Sequence, residues 1–570
     1  MKKLDPRRIP IPLAVLLLLL AAWGGWFIYR TSFLVEGKRY FCLFDDAMIS
    51  MTYARNLVEG FGLNWARWGE PVEGFTHPLW LLVMIPINAL PIVLRDRSLL
   101  VQIVSLLTLG GTVVAVRRLM LDHFANETDR HWMPAAVLTA FYYPLAYWAL
   151  IGMETGLQAL LAVVAVQLAL SAVHGGRDRH LALWLVCTAA MLLRMDMLLL
   201  VVAVQLYLLL RGGLRPAGRA SWLAGLAVFI GANLAYELFR WLYFHDVLPN
   251  TYYLKMTGIP LTVRLLRGLL VFSKFINDHL LVLLPVALGI AVLLRRKKRL
   301  VLPAAVVLLY FAYNFYVGGD AWDEELLDIR ANRFLAFVMP LVFVLFNAVL
   351  NEALEAWRSR REWPADAPAG RLVVIAATAV ALLLVDGLWL SSDSDQYWRE
   401  LTLADRPPNI DRHEQVTGML PGFRRIVQPG ATVACAWAGI PAYFTDYKMI
   451  DILGYNDRVI AKMPPVVELN DDTFRSFWPG HVKWNEQRLL TEQRPDAFFQ
   501  IWGVKLEMGK VADIMPGFGY RRAGRFWVRA DSPYVRIPAG AENPAPASQN
   551  VLEFLQRRRH KRPGAQPPPS

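Results

Sequence analysis

Runs of roughly 15–20 consecutive apolar residues recur along most of this 570-residue chain, and a run of that length is what crossing a bilayer core of about 30 Å requires. They fall at 11–29, 78–94, 98–116, 132–150, 156–173, 181–210, 221–239, 280–294, 300–317, 334–350 and 372–390. Their weight makes the chain 55% apolar and only 19% charged, against about 45–50% and about 25% in soluble proteins. The pattern excludes a soluble enzyme and predicts a polytopic α-helical membrane protein.

The formal net charge is +13, but its placement argues against nucleic acid as a partner. Lys2, Lys3, Arg7 and Arg8, then Arg117 and Arg118, Arg177 and Arg179, Arg211, Arg215 and Arg219, Arg295 through Arg299, and Arg358, Arg360 and Arg361 sit in short stretches between apolar blocks. Cytoplasmic loops have this composition because Lys and Arg resist translocation. Most of these loops face the same side if 78–94 lies at the outer surface or re-enters. The 181–210 block then divides at Arg194-Met195-Asp196 into two short spans. Eleven spans are expected, with the N-terminus inside and the C-terminus outside. The first block lacks a clear cleavage site and is expected to be a retained span. Cys42, Cys187 and Cys435 are too far apart in sequence for a disulfide framework or a metal-ligand spacing.

In this arrangement the acidic and aromatic loops 30–77, 151–156, 240–279 and 318–333 all lie outside, as does everything after 391. An Arg194–Asp196 break is costly in lipid and should face a protein cavity. The chain divides into a membrane domain at 1–390 with a first outer loop at 30–77, an extracytoplasmic α/β domain at 391–553, and a basic Pro-rich tail at 554–570 expected to be disordered. In the α/β domain, Thr432–Ala436 and Met449–Leu453 read as strands and Gln487 to Arg494 as a helix. No repeat suggests two similar transporter halves.

The first outer loop carries the sharpest motif: Phe44-Asp45-Asp46-Ala47-Met48-Ile49-Ser50, continuing Tyr53-Ala54-Arg55-Asn56-Leu57-Val58-Glu59-Gly60, then Val72-Glu73-Gly74-Phe75-Thr76-His77-Pro78-Leu79-Trp80. Adjacent carboxylates can coordinate a cation, accept a hydroxyl proton or raise one another's pKa. Asp45 can equally cap the helix expected over 47–58.

These residues resemble the mycobacterial-type terminal β-(1→2)-arabinofuranosyltransferases and their bacterial relatives, within the GT-C superfamily of polyprenyl-phosphate-sugar-dependent membrane glycosyltransferases. Further segments extend the resemblance over most of 40–500. These are Gly152-Met153-Glu154-Thr155, Leu193-Arg194-Met195-Asp196, Arg240 through Lys255, Gly318-Gly319-Asp320 with Arg333-Phe334, Ile450 through Asp457, and Gly480-His481 with Lys483-Trp484. Met195 departs from the family's proline, and the acidic insert Trp322 to Asp328 is a second departure.

The resemblance implies a GT-C fold and an acid of the first outer loop at the reaction centre. That acid is Asp45 or Asp46; Asp46 is favoured as the direct participant, with Asp45 as cap or support. Substrate-binding roles then extend to Arg55, Glu73, His77, Glu154, Arg194, Asp196, Arg240, Asp246, Asn250, Lys255, Asp320 and Arg333. Arg55, Arg194, Arg240, Lys255, Arg330 and Arg333 are the candidates for the departing phosphate, since Arg offers a donor fork and Lys a point charge. Each of the arginines can instead anchor a span end at the lipid head groups. Glu154 can orient the acceptor or cap the next span. His77 before Pro78 can be structural, and Asp320 can pair with Arg330 or Arg333.

A divalent cation, Mg or Mn, held by Asp46 and other outer-loop carboxylates is the one cofactor considered. Tryptophans 398, 437, 478, 484, 502 and 527 of the distal domain can stack on sugars or fill the core. The expected partners are a polyprenyl-phosphate sugar donor, a cell-envelope glycan acceptor and membrane lipid. The expected location is the bacterial plasma membrane, with the active site outside. Rival readings are a transferase acting on another polyprenyl-phosphate sugar, with lipopolysaccharide or protein as acceptor, a lipid-linked-sugar transporter or flippase, and a non-catalytic scaffold.

Overall fold

A computed structural model describes residues 10–124, 132–175, 178–214, 216–322, 332–360, 368–385, 394–501 and 514–536. The N-terminal basic residues, Arg177, Arg215, Arg330, Arg361, Trp502, most of the acidic insert and the 554–570 tail lie outside the described residues.

Among the described residues, seven helices are long and apolar enough to cross a membrane: Ile11–Thr31, Leu94–His123, Thr155–His174, Arg219–Phe244, Leu261–Leu293, Lys298–Val317 and Met339–Arg360. Four apolar helices are shorter, at Pro78–Ala89, His180–Leu193, Met195–Leu210 and Leu372–Leu382. The Arg219–Phe244 helix shows why lipid is needed. Leu223, Leu234, Leu238 and Trp241 all stand more than half exposed, an apolar surface that water would penalise. The chain is a membrane protein.

The 78–94 block forms only a 12-residue helix with Pro86 inside it, about 18 Å long and too short to cross. The 181–210 block breaks as expected: one helix ends at Leu193 and the next begins at Leu198, with a tight turn over Met195–Met197. Two expectations need correction. The 132–150 block is two helices, Met133–Phe141 and Tyr143–Leu150, because Tyr142 is extended and Pro144 has no N–H to continue the preceding turn. The stretch 261–279, expected as loop, is the first half of the 33-residue helix Leu261–Leu293. Its apolar stripe packs inward, and Arg267 donates to the carbonyls of Gly318 and, at 2.8 Å, Asp320.

The distal domain holds a five-stranded sheet. We label the strands β1 (Thr432–Cys435), β2 (Lys448–Asp451), β3 (Ala497–Gln500), β4 (Tyr520–Ala523) and β5 (Phe526–Arg529). The order is β2-β1-β3-β5-β4, with β1 parallel to both β2 and β3, and β5 antiparallel to β3 and β4. Two strands match the expected positions to within a residue or two. The segment expected as a helix from Gln487 is a single wide helical turn, Arg488–Gln493.

The sheet domain is seated on the first outer loop, whose helix we label α1 (Asp45–Val58). Arg55 spans the junction, donating to the carbonyls of Tyr443 at 2.6 Å and Thr445 at 3.1 Å and pairing with Asp446 at 2.5 Å. Trp65 Nε1 donates to Ala438 O at 2.8 Å. Gly439 is required at this contact, because a Cβ there would stand 2.0 Å from the carbonyl oxygen of Asp45.

Candidate active site

Where the helix ends meet the sheet domain, a cavity of about 210 Å³ opens. Of the residues singled out in the sequence, Asp46, His77, Glu154, Arg194, Asp196, Lys255, Asp320 and Arg333 line it. They come from five separate stretches of chain before residue 260 and two after 315, so the fold alone brings them together.

Asp46 occupies the first turn of α1, and its Oδ2 lies 3.3 Å from Arg333 Nη1. The same guanidinium donates from Nη2 to Asp320 Oδ1 at 3.0 Å. Arg333 is therefore a bridge between two carboxylates. Asp320 follows Gly318 and Gly319, both in the left-handed region at φ 86° and 72°. A side chain would strain both positions. Arg267 grips the carbonyls of this turn from behind.

Arg194 forms the second bridge. Its Nη2 donates to Asp196 Oδ2 at 2.7 Å and its Nη1 to Glu154 Oε1 at 2.8 Å. Burial alone would push the Glu154 carboxyl up, but His77, Arg194 and Arg333 outweigh it and hold it down at about 2. The break at Arg194–Asp196 thus faces a protein cavity. Burial lowers the pKa of His77, and the Glu154 carboxylate opposes that shift. His77 Nε2 is 2.7 Å from Ser50 Oγ and its Nδ1 is 3.5 Å from Glu154 Oε2. With Glu154 ionised, the assigned tautomer carries the proton on Nδ1, and Ser50 donates to Nε2.

Lys255 differs from both arginines. Among the described residues it forms no ion pair, and its ammonium sits 5.6 Å from the centre of the Tyr455 ring. Burial first, then the positive charge of Arg333, lowers its pKa. An ammonium withdrawn from water with no close ion pair is costly unless an anion joins it.

The remaining candidates turn away from this cavity, and each has a physical reason. Asp45 accepts from the backbone N–H of Ile440 at 2.8 Å and of Gly439 at 3.2 Å, so it clamps the sheet domain rather than capping its own helix. Burial raises its carboxyl to about 7. Arg55 is spent on the domain junction. Glu73 and Arg240 pair at 2.5 Å, with Tyr236 donating to Glu73 at 2.6 Å. Asp246 binds Lys462 at 2.6 Å and Arg458 at 3.0 Å. Asn250 donates to the carbonyls of Gly454 and Tyr455, both at 2.8 Å.

Ser50 and Tyr455 also line the cavity without having been singled out as site residues. Ser50 was legible in principle, since i and i+4 share a helix face with Asp46. Tyr455 also borders a smaller chamber on the sheet-domain side of Asp46, with Trp322, Trp437 and His481 in its wall. His481 stacks on Trp478 at 4.0 Å between ring centres.

The cation-holding role considered for Asp46 meets one geometric fact here, a guanidinium beside it. The Arg333 guanidinium fills the place between Asp46 and Asp320, and among the described residues no group of three or more His, Cys, Asp or Glu side chains converges with ligand geometry.

The model of a domain of unknown function, DUF8728, matches residues 408–535, the stretch containing the five-stranded sheet. No curated protein matches the chain. Among solved structures, the fold is similar to that of ArnT from Cupriavidus metallidurans in the apo state, with a TM-score of 0.50 and 11% identity, covering 85% of this chain and 92% of that one. The same protein bound to undecaprenyl phosphate matches at a TM-score of 0.46 and 13% identity over 77% and 85% of the two chains. The archaeal oligosaccharyltransferase AglB from Archaeoglobus fulgidus, in complex with an inhibitory peptide and a dolichol-phosphate, gives 0.43 and 10% over 77% and 64%. The apo ArnT likeness establishes the overall architecture: a GT-C fold, with apolar helices below and a C-terminal sheet domain above.

Proposed function

We propose that this chain is a membrane glycosyltransferase that moves a sugar, arabinofuranose in our reading, from a polyprenyl-phosphate donor to a cell-envelope glycan. The observation that carries the proposal is the pairing, in one cavity, of the open carboxylate Asp46 with the half-buried ammonium Lys255, which has no ion-pair partner among the described residues. Group transfer from a sugar phosphate asks for both: a carboxylate at the reacting carbon and a cation at the departing phosphate.

In this reading Lys255 receives the phosphate. The anomeric C–O bond to phosphate breaks with its electron pair going to the phosphate oxygen. The acceptor hydroxyl oxygen forms the new bond to the anomeric carbon, and its proton passes to the Asp46 carboxylate. Asp46 also faces the positive charge that develops on the sugar ring as the old bond lengthens. Arg333 holds Asp46 in place rather than binding phosphate, because Asp320 already occupies its other edge. Ser50, fixed by His77, offers its oxygen to a sugar hydroxyl one helical turn from Asp46.

The motif resemblance supports arabinofuranose and a glycan acceptor. The test is a transfer assay with purified protein in detergent, polyprenyl-phosphoryl-arabinofuranose and a short arabinan. Product formation supports the reading. Product only from another polyprenyl-phosphate sugar would keep the reaction and replace the sugar.

A further inference from the structure

A second cavity, of about 420 Å³, lies at the opposite end of the helix bundle from Asp46. Two helices fix this relation. The helix Thr155–His174 starts beside Glu154 at the first cavity and ends with His174 at the second, 20 residues or about 30 Å apart. The helix Val301–Val317 runs the other way, from the basic turn before it to Val317 in the first cavity.

That turn supplies Arg296, Lys297, Lys298 and Arg299 to the cavity wall. Its backbone is folded tightly, with Lys297 N bonded to Leu293 O at 2.7 Å and Leu300 N to Lys297 O at 3.1 Å. Lys297 pairs with Glu352. Among the described residues, Arg296, Lys298 and Arg299 form no ion pair. The acid in the wall, Asp122, is exposed and accepts from Gln167 at 2.9 Å. Two histidines complete the lining, each tied at one ring nitrogen: His123 Nε2 to Ser171 Oγ and His174 Nε2 to Tyr207 OH, both at 3.1 Å. His123 Nδ1 is buried without a hydrogen-bond partner.

A basic loop that only sets membrane orientation needs charge and no particular shape. Here three cations that form no ion pair among the described residues, with Arg299 donating to the His123 carbonyl at 3.4 Å, are gathered around a hollow at the end of apolar helices, where lipid head groups lie. We propose that this cavity binds the phosphate of an anionic lipid head group, a site separate from the sugar-transfer cavity. Basic pockets between membrane helices suit such head groups because several cations can share one phosphate.

The test uses the full chain in uncharged detergent, with bound lipid counted by native mass spectrometry against added phosphatidylglycerol or phosphatidylcholine. Phosphatidylglycerol is expected to bind more tightly than phosphatidylcholine. The Lys298→Gln variant, an exposed single change that leaves packing alone, should weaken it about fivefold, at one cation's contribution. The triple variant R296Q/K298Q/R299Q should weaken it on the order of a hundredfold. Equal binding of the two lipids, or phosphatidylglycerol binding unchanged in Lys298→Gln, would overturn the site. Displacement of the lipid by inorganic phosphate at equal concentration would overturn the lipid source and leave a site for free phosphate.

Discussion

Arg333 Nη1 lies 3.3 Å from Asp46 Oδ2, a contact between residues 287 positions apart in the sequence. It ties the first outer helix to the turn carrying Asp320, and so places the carboxylate we assign to the reaction. Removing the guanidinium leaves two carboxylates facing one another. Arg333→Ala should therefore lose transfer activity and also about 3–5 kcal/mol of stability, the usual cost of orphaning a buried ion pair. Thermal melting beside the transfer assay checks both, and an unchanged melting temperature would contradict the bridge.

Lys255 should behave in the opposite sense. Its half-buried ammonium has no close ion pair to lose among the described residues, so Lys255→Met is expected to melt at the same or a higher temperature. Donor KM should rise at least about tenfold, the cost of one charge-assisted contact to phosphate. Titration of the variant with donor separates the two roles. A lower melting temperature with unchanged donor KM would make Lys255 structural.

The seat of the sheet domain should respond to pH through Asp45. Burial raises its carboxyl to about 7 from an ordinary 3.8. Between those values the folded protein holds a proton that the unfolded chain has released, so stability falls as pH rises. The slope is about 1.4 kcal/mol per pH unit and flattens above about pH 7. Asp451, raised by burial to about 6, adds the same sign over a narrower range. Melting curves from pH 5 to 8 should show the decline in the wild type. Asp45→Asn should remove its larger part, and an unaltered slope would contradict the assignment.

Gly439 marks the same contact by shape. Gly439→Ala places a methyl against the Asp45 carbonyl and should cost about 1–3 kcal/mol, typical of overpacking. Limited proteolysis should show the sheet domain cut sooner. Wild-type resistance would show that the junction yields.

The membrane architecture was legible because block length reports directly on bilayer thickness. The break at Arg194–Asp196 was legible because an arginine and an aspartate cannot sit in lipid unpaired. The break at Tyr142 was not, since apolar content does not distinguish a continuous helix from two that abut. Strands Ala497–Gln500 and Phe526–Arg529 escaped notice because short mixed runs carry little period-two signal; the former is buried along its whole length. At the site, the motif named loops that border the cavity but not the direction of their side chains. Asp45 and Asp46 are neighbours in sequence, yet only the position of Gly439 and Ile440 decides that one serves the junction and the other the cavity. Arg267 went unread for the same reason: its task is to hold a backbone turn some 50 residues away.

The most direct test of the central claim is transfer by Asp46→Asn beside wild type, with donor binding and melting measured on the same preparations. The account predicts that the variant binds donor, melts near the wild-type temperature and loses transfer by about 10²–10⁴-fold, the range for a proton-accepting group. Transfer at the wild-type rate by a folded Asp46→Asn protein would contradict it.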